Sequence, residues 1–293
     1  MKFRLLSSAL LIALAIWQTP LSSSAASKLA PIAAATPCGV TRVAPAYDHV
    51  VWILLENAGY SVVNSPSAPY LNSLGHGCGL AVNDLAVSHP SLPNYIALTS
   101  GSTQGVTDDN EPSAHPLTGP SIFSELGGNW RALVQSMPNA CDHDTSGSYA
   151  ARHNPAVYYV SLAAACQRND APLTLPLNLN ARFTFITPNL CNDMHSCPVA
   201  SGDRWLAQIV PTIIKSEQYQ SRSMVLFITF DENEGGSTNR VPTYVVAPSV
   251  PRGERVSVAL THYSLLRTTE TLLHLPLLGA AQNATSMVAP FHL

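Results

Sequence analysis

Two apolar runs that each stop at a pair of polar ligands constrain this chain most. His49-Val-Val-Trp-Ile-Leu-Leu55 ends at Glu56-Asn57, and Met224-Val-Leu-Phe-Ile-Thr-Phe230 ends at Asp231-Glu232. A segment that is apolar and β-branched at nearly every position suits a strand buried on both faces, as in a parallel sheet covered by helices. Arg182-Phe-Thr-Phe-Ile186 and Thr243-Tyr-Val-Val-Ala247 have the same character. Helical patterns lie between them, over residues 203–219, interrupted by Pro211, and over residues 263–275, where Leu265, Leu266, Thr269, Leu272 and Leu273 share a face. Strands alternating with helices predict an α/β chain, a three-layer sandwich around a mostly parallel central sheet. No internal repeat is visible.

In open α/β sheets ligands gather beyond the carboxyl ends of the strands. Glu56, Asn57, Asp231 and Glu232 would all stand there, and clustered oxygen ligands are what a hard cation requires. Polar residues also end strands for no reason but solvation, and for Asp231-Glu232-Asn233-Glu234 a solvated acidic turn closed by Gly235-Gly236 is the plainer alternative.

The segment Ser88-His89-Pro90-Ser91-Leu92-Pro93-Asn94-Tyr95 is followed by Ile-Ala-Leu-Thr-Ser100-Gly101. Two prolines bracket Ser91 in a tight loop, and residues 94–100 can form a helix that Gly101 ends. Ser91 then sits near a helix N-terminus, where backbone N–H groups and the dipole favour a phosphate and the Asn94 amide can hold an oxygen. An ordinary helix cap after a turn explains the same residues.

Lys2 and Arg4, an apolar run over residues 5–17 and the small residues Ser24-Ala25-Ala26 read as a secretory signal peptide over residues 1–26. The run is shorter than the roughly 20 residues that a bilayer span needs, and no later segment qualifies. Residues 27–44, rich in Ala, Pro and Thr, read as a tether, and residues 45–293 as the catalytic domain. Cleavage would leave 13 basic against 18 acidic residues. That balance gives nucleic acid no basic footprint. Six cysteines in an exported chain point to disulfides, with Cys191 and Cys197 the natural short-range pair. The expected location is secreted or periplasmic.

Taken in order, Val51-Trp-Ile-Leu-Leu-Glu56-Asn57-Ala-Gly-Tyr60, His89-Pro-Ser91-Leu-Pro-Asn94-Tyr95, Pro188-Asn-Leu-Cys-Asn-Asp193-Met-His195-Ser-Cys197 and Ile228-Thr-Phe-Asp231-Glu232 resemble the bacterial phosphoesterase family. Asn129-Trp-Arg131 through Met137-Pro138 and Arg152-His-Asn-Pro155 add to the likeness. That family includes acid phosphatases and phosphatidylcholine-type phospholipases C, within the alkaline phosphatase superfamily. The resemblance implies that Glu56, Asn57, Asp231 and Glu232 hold one divalent metal ion, with Ser91 as nucleophile and further ligand. It implies that Asn94 orients phosphate and that Asp193, His195, His153 and His262 line the site. A tight Asp193-x-His195 and an Asp231-Glu232 pair, where two-metal relatives carry an Asp-His pair, suggest a single metal. Carboxylate, amide and alkoxide ligands accept calcium, magnesium, manganese or zinc.

In that reading Ser91 attacks phosphorus to form a phosphoserine, water releases it, and His195 or His262 protonates the leaving alcohol. His153, Asn94 and Asp193 contact substrate. The other histidines considered, His49, His76, His115, His143, His274 and His292, are left to packing and surface roles. Arg131, Arg152 and Arg240 are possible cationic contacts. The substrate is a small phosphate ester or a phospholipid head group, and the short chain favours a monoesterase or general phosphodiesterase. A serine carboxylesterase is disfavoured, because Gly101-Ser-Thr-Gln-Gly105 has its serine one place early for a nucleophile elbow. A non-catalytic exported binding protein of the same fold is the remaining alternative.

Overall fold

The computed structural model describes residues 37–235 and 238–293. The proposed signal peptide, residues 1–26, lies outside the described residues. Among the described residues nine strands form one sheet: β1 (His49–Leu55), β2 (Gly79–Leu85), β3 (Trp130–Val134), β4 (Asp170–Pro172), β5 (Phe183–Thr187), β6 (Met224–Phe230), β7 (Arg240–Val246), β8 (Arg255–Val256) and β9 (Leu260–Thr261). Their order is β4-β3-β5-β1-β6-β7-β2-β8, with β9 also paired to β2. Only β7 runs antiparallel to its neighbours, so the sheet is mostly parallel.

Among the described residues there are seven α-helices: α1 (Pro69–Gly77), α2 (Ser91–Ser100), α3 (Ile122–Glu125), α4 (Ala163–Asn169), α5 (Val199–Ile214), α6 (Glu217–Gln220) and α7 (His262–Leu272). Helix α1 packs on α5, and α2 packs on α7. Every residue of β5 and β6 is buried, and β1 is buried after its first residue. A strand closed to water on both faces must carry apolar side chains throughout, which is why β1 and β6 match the predicted runs end to end.

Elsewhere the structure departs from the sequence reading. Helix α2 begins at Ser91, not Asn94, because Pro93 in the first turn gives up an N–H that would be unpaired there anyway. It ends as expected at Gly101, in the left-handed conformation (φ 72°), where a Cβ would clash with the Leu278 carbonyl oxygen. The helix expected over residues 203–219 is two, α5 and α6, with Pro211 kept inside α5. Residues 37–44, assigned to the tether, are pinned instead: Cys38 is buried in a disulfide with Cys78, and the Val40 and Thr41 N–H groups donate to the Pro248 carbonyl. Cys191 bonds Cys197 as anticipated, and Cys141 bonds Cys166.

Strand β2 carries Asp84 into the interior, just past a register shift against β7. Thr243 Oγ1 donates to its Oδ2 at 2.6 Å, while Oδ1 has no partner among the described residues. Burial pushes its pKa up to about 7. The fold therefore favours the protonated form. That contribution is complete below about pH 4, where the unfolded chain also binds the proton, and is lost as pH rises through about 7. We expect Asp84→Asn to flatten a stability loss on the order of 4 kcal/mol across that window. Urea midpoints at pH 4.5 and 7.5 check this, and identical pH slopes in the two proteins would rule it out.

Candidate active site

Strands β1, β5 and β6 are parallel, and β2 points the same way, so the segments that follow them leave from one edge of the sheet. Glu56-Asn57 follows β1, Ser91 follows β2, Asp193 and His195 follow β5, and Asp231-Glu232 follows β6. The loop beyond β3 returns to this edge with Arg152 and His153, and β9 leads into His262. Topology alone thus collects residues from six stretches of chain.

Ser91 opens α2 and is 3% exposed. Its Oγ donates to Glu56 Oε2 at 2.9 Å. Tyr95, one helical turn on, donates to Glu56 Oε1 at 2.6 Å. The backbone locks the two acidic ends together: Asp231 N–H donates to the Leu55 carbonyl, Glu56 N–H to the Asp193 carbonyl, and Asn57 N–H to Asp231 Oδ1 at 3.2 Å. Asn57 adopts positive φ (46°), which asparagine tolerates better than most residues and which turns its N–H towards Asp231.

Glu56, Asp193 and Asp231 are all fully buried. Burial, then repulsion from Asp231 and Asp193, pushes the Glu56 carboxyl well above its usual range. Asp231 is likewise raised, by burial and then by Glu232. Burial raises Asp193 to about 7, and Glu232 to about 7 with help from Asp109. His153 lies between two of these acids. Its Nδ1 is 3.2 Å from Asp193 Oδ2, and its Nε2 is 3.2 Å from Glu56 Oε1 at an angle too poor for a hydrogen bond. Burial, then Arg152 and His195, hold its pKa well below the ordinary value, so the ring is neutral. It stacks on Tyr95 with ring centres 5.3 Å apart.

Two expected substrate or acid residues turn inward. The Asn94 amide is fully spent on the preceding turn: Oδ1 accepts from the Val87 and Ser88 N–H groups, and Nδ2 donates to the Ser88 and Pro90 carbonyls. It has no N–H left for a phosphoryl oxygen and acts as the brace of the Ser91 loop. The helix start is also less open to phosphate than its position suggests, since Asp109 Oδ1 takes the Leu92 N–H at 2.9 Å and Pro93 has none. His262 is 1% exposed and donates from Nε2 to the Asp231 carbonyl at 2.6 Å, with burial holding its pKa down to about 4. It supports the Asp231 turn from behind and is screened from any leaving group.

Other side chains at this edge escaped the sequence reading. His89, two residues before Ser91, places Nδ1 2.6 Å from Glu232 Oε2; its adjacency to Ser91 was the available signal. Asp109 and Tyr95 reach the site by tertiary contacts that no local pattern announces. Of the three arginines, Arg131 bonds Asn169 and Arg240 lies over the Tyr60 ring. Arg152 alone bonds a site side chain, donating to His195 Nε2 at 3.2 Å, with its Nε 3.8 Å from Asp109 Oδ2.

The donor set fits a hard divalent cation. Asp231 Oδ2 is buried without a hydrogen-bond partner among the described residues, and Glu232 Oε2 meets only the half-exposed His89 ring. Among the described residues, one His, Cys, Asp or Glu trio brings ligand atoms within 4.8 Å of one another: Cys141, Cys166 and Asp170. Its sulfurs are joined in a disulfide and offer no thiolate. The site carboxylates stand less tightly grouped, so the Ser91 hydroxyl and the Asn57 amide are needed to complete a ligand set.

The phosphoesterase family profile matches residues 58–276. The chain belongs to the phosphoesterase family. As a member it is a hydrolase acting on phosphoric ester bonds. This phosphoesterase is 31% identical over 250 residues to a phosphatidylinositol-3-phosphatase of Mycobacterium tuberculosis, covering 82% of this chain and 81% of that protein. It is 30% identical over 268 residues to a phosphate-repressible acid phosphatase of Penicillium chrysogenum, covering 83% of this chain and 64% of the fungal protein. The lipoteichoic acid synthase LtaP of Listeria monocytogenes superposes with a TM-score of 0.55 at 13% identity, over 82% of this chain and 77% of that one. An alkaline phosphatase superfamily protein of Vibrio parahaemolyticus does so with 0.55 at 12% identity, over 80% and 68%. These structures share the fold of the phosphoesterase.

Asn94→Ala removes four hydrogen bonds to buried or half-buried backbone groups, and the expected loss of stability is about 2–4 kcal/mol. Urea unfolding measures it. A residue that served substrate alone would leave the midpoint where it is.

Proposed function

We propose that this phosphoesterase is an exported, metal-dependent enzyme that hydrolyses small phosphate monoesters through a phosphoserine at Ser91. The observation that carries this reading is the Ser91 hydroxyl bonded to Glu56, whose strand end is tied to that of Asp231, a buried carboxylate with one unpartnered oxygen. Glu56, Asn57, Ser91, Asp231 and Glu232 would hold one divalent ion. When bound, the ion supplies a counter-charge for the carboxylates and lowers the pKa of the serine hydroxyl.

The protein's own residues then account for the rest. Glu56 and Asp231 orient Ser91 Oγ for in-line attack on phosphorus, breaking the ester P–O bond. Tyr95 and His153 fix Glu56, and the Asn94 brace fixes the backbone beneath Ser91. His195, exposed at the rim and supported by the N–H contact of its own backbone to Asp193 Oδ1, is placed to protonate the leaving oxygen. Asp193 and His153 complete the wall on that side. Water attacking the phosphoserine returns Ser91 and releases phosphate. Export is supported by the three disulfides and by the leader-like residues 1–26. Among the described residues no helix is long and apolar enough to cross a membrane.

A second reading is supported by the 31% identical mycobacterial protein, whose name specifies a phosphoinositide monoester. Here the head group of a phospholipid would replace the small ester, with the same chemistry at phosphorus. Hydrolysis of an aryl phosphate by the purified protein should vanish with a chelator, return with added divalent metal, and fall by roughly 10³-fold or more in Ser91→Ala. Turnover of a phosphoinositide in preference to the aryl phosphate supports the lipid reading. An absence of metal-dependent turnover on either leaves a non-catalytic binding protein.

A further inference from the structure

Arg152 is held by two weak contacts. Its Nε stands 3.8 Å from Asp109 Oδ2, with both side chains partly open to water, and its NH2 group donates to the neutral His195 ring at 3.2 Å. A partly exposed ion pair at that distance contributes little. A phosphoryl dianion offers a guanidinium far more, through paired charge-assisted hydrogen bonds. Asp109 also accepts the Leu92 N–H, so Arg152 is anchored directly beside the turn that presents Ser91.

The bond from Arg152 dictates the state of His195. A guanidinium only donates, so His195 Nε2 must accept with its lone pair, and the ring proton sits on Nδ1, facing Ser196 Oγ at 3.0 Å. In that state Nε2 has no proton to give. Burial, then the Arg152 charge, hold the ring below its ordinary pKa, while Asp193 and Asp109 pull the other way. His153, neutral and 5.7 Å away ring to ring, completes the ionisable surroundings.

We propose that Arg152 is the phosphate-recognising residue of this site, and that its transfer from His195 Nε2 to a phosphoryl oxygen frees that nitrogen to serve as general acid. This rests on the phosphoesterase reading above. Once released, Nε2 takes up a proton from bulk solvent, and Asp193 stabilises the imidazolium. Ser91 Oγ gives up its proton along its hydrogen bond to Glu56 Oε2 as it bonds to phosphorus; the ester P–O bond breaks, its electron pair stays on the leaving oxygen, and that oxygen takes the proton from Nε2. Substrate binding and acid activation are thereby one event. The mechanism selects monoesters: a terminal dianionic phosphate can occupy the guanidinium and still present its ester oxygen to His195, whereas a diester brings one charge and one fewer free oxygen.

The test uses the full-length, metal-loaded protein. Arg152→Gln should lower kcat/KM for an aryl phosphate roughly 10- to 100-fold, and for a bis-aryl phosphodiester less than about threefold. Asp109→Asn disturbs the ion pair but keeps the cation, so the monoester-to-diester ratio should stay within about twofold of wild type. Equal losses on both esters in Arg152→Gln, or an Asp109→Asn ratio that collapses with it, overturn the proposal. Nitrogen NMR of labelled histidine gives a readout independent of turnover and of how well Arg152→Gln folds. In wild type the His195 Nε2 resonance should shift from the lone-pair to the protonated position when inorganic phosphate saturates the site near neutral pH. An unmoved resonance overturns the proposal even if the enzyme is active. A wild type that shows the shift yet lacks Ser91-dependent hydrolysis would instead sink the function proposed above, leaving phosphate recognition by Arg152 in place.

Discussion

Three buried carboxylates crowded at one edge of the sheet govern the rest of the site. Glu56, Asp193 and Asp231 each follow a strand that is closed to water on both faces, and backbone hydrogen bonds tie their positions to one another. The sheet cannot relax their repulsion by moving apart, because packed interiors resist displacement. Relief must come from protons, from donors or from a cation. The protein supplies donors sparingly: the Ser91 and Tyr95 hydroxyls on Glu56, one backbone N–H on Asp231, and the His195 backbone N–H and the His153 ring on Asp193. One oxygen of Asp231 is left with none. An arrangement this costly persists where a function uses it.

The nucleophile is held by a different principle. Ser91 sits on the first turn of α2, a position whose geometry is set by backbone, and the turn before it is clamped by the Asn94 amide. Asp109 places a negative charge against the positive end of the same helix and takes one of its free N–H groups. Ser91 therefore answers to rigid scaffold on one side and to the carboxylates on the other, with little freedom to leave either. Precision of that kind is what an in-line displacement needs.

The legible parts of the molecule were those where one local rule decides the outcome. Strands β1 and β6 could be read to the residue because burial on both faces demands an unbroken apolar run. Strand β2 was not visible, since Asn83 and Asp84 interrupt its pattern and the register shift beside them breaks its alternation. Strands β8 and β9, two residues each, owe their existence to pairing with β2 and have no signature of their own. In the site, Glu56 and Asp231 were legible as strand ends. The roles of Asn94 and His262 were not, because residue type gave the chemistry each can do while tertiary contacts decided where each one's polar atoms were spent. Asp109 and Tyr95 stayed hidden for the same reason.

Charge at the sheet edge is arranged in a closed circuit. From α2 the contacts run through Asp109 to Arg152, then His195, Asp193, His153 and Glu56, and back to Ser91. Five carboxylates, Glu56, Asp109, Asp193, Asp231 and Glu232, stand along or beside this circuit. Against them, among the described residues, stand one bonded guanidinium, three histidines whose pKa values are held down, His153, His195 and His262, and His89 with Nδ1 2.6 Å from Glu232 Oε2. A phosphate dianion entering such a field would be repelled by several like charges in a medium of low dielectric. A single arginine does not offset that. Positive charge beyond Arg152 would relieve a site built mostly of anions, and the unpartnered Asp231 Oδ2 is a ligand such charge could use. The excess of carboxylates, which looks hostile to the substrate in isolation, is thus the strongest physical reason to read the site as one that works with a cation in place.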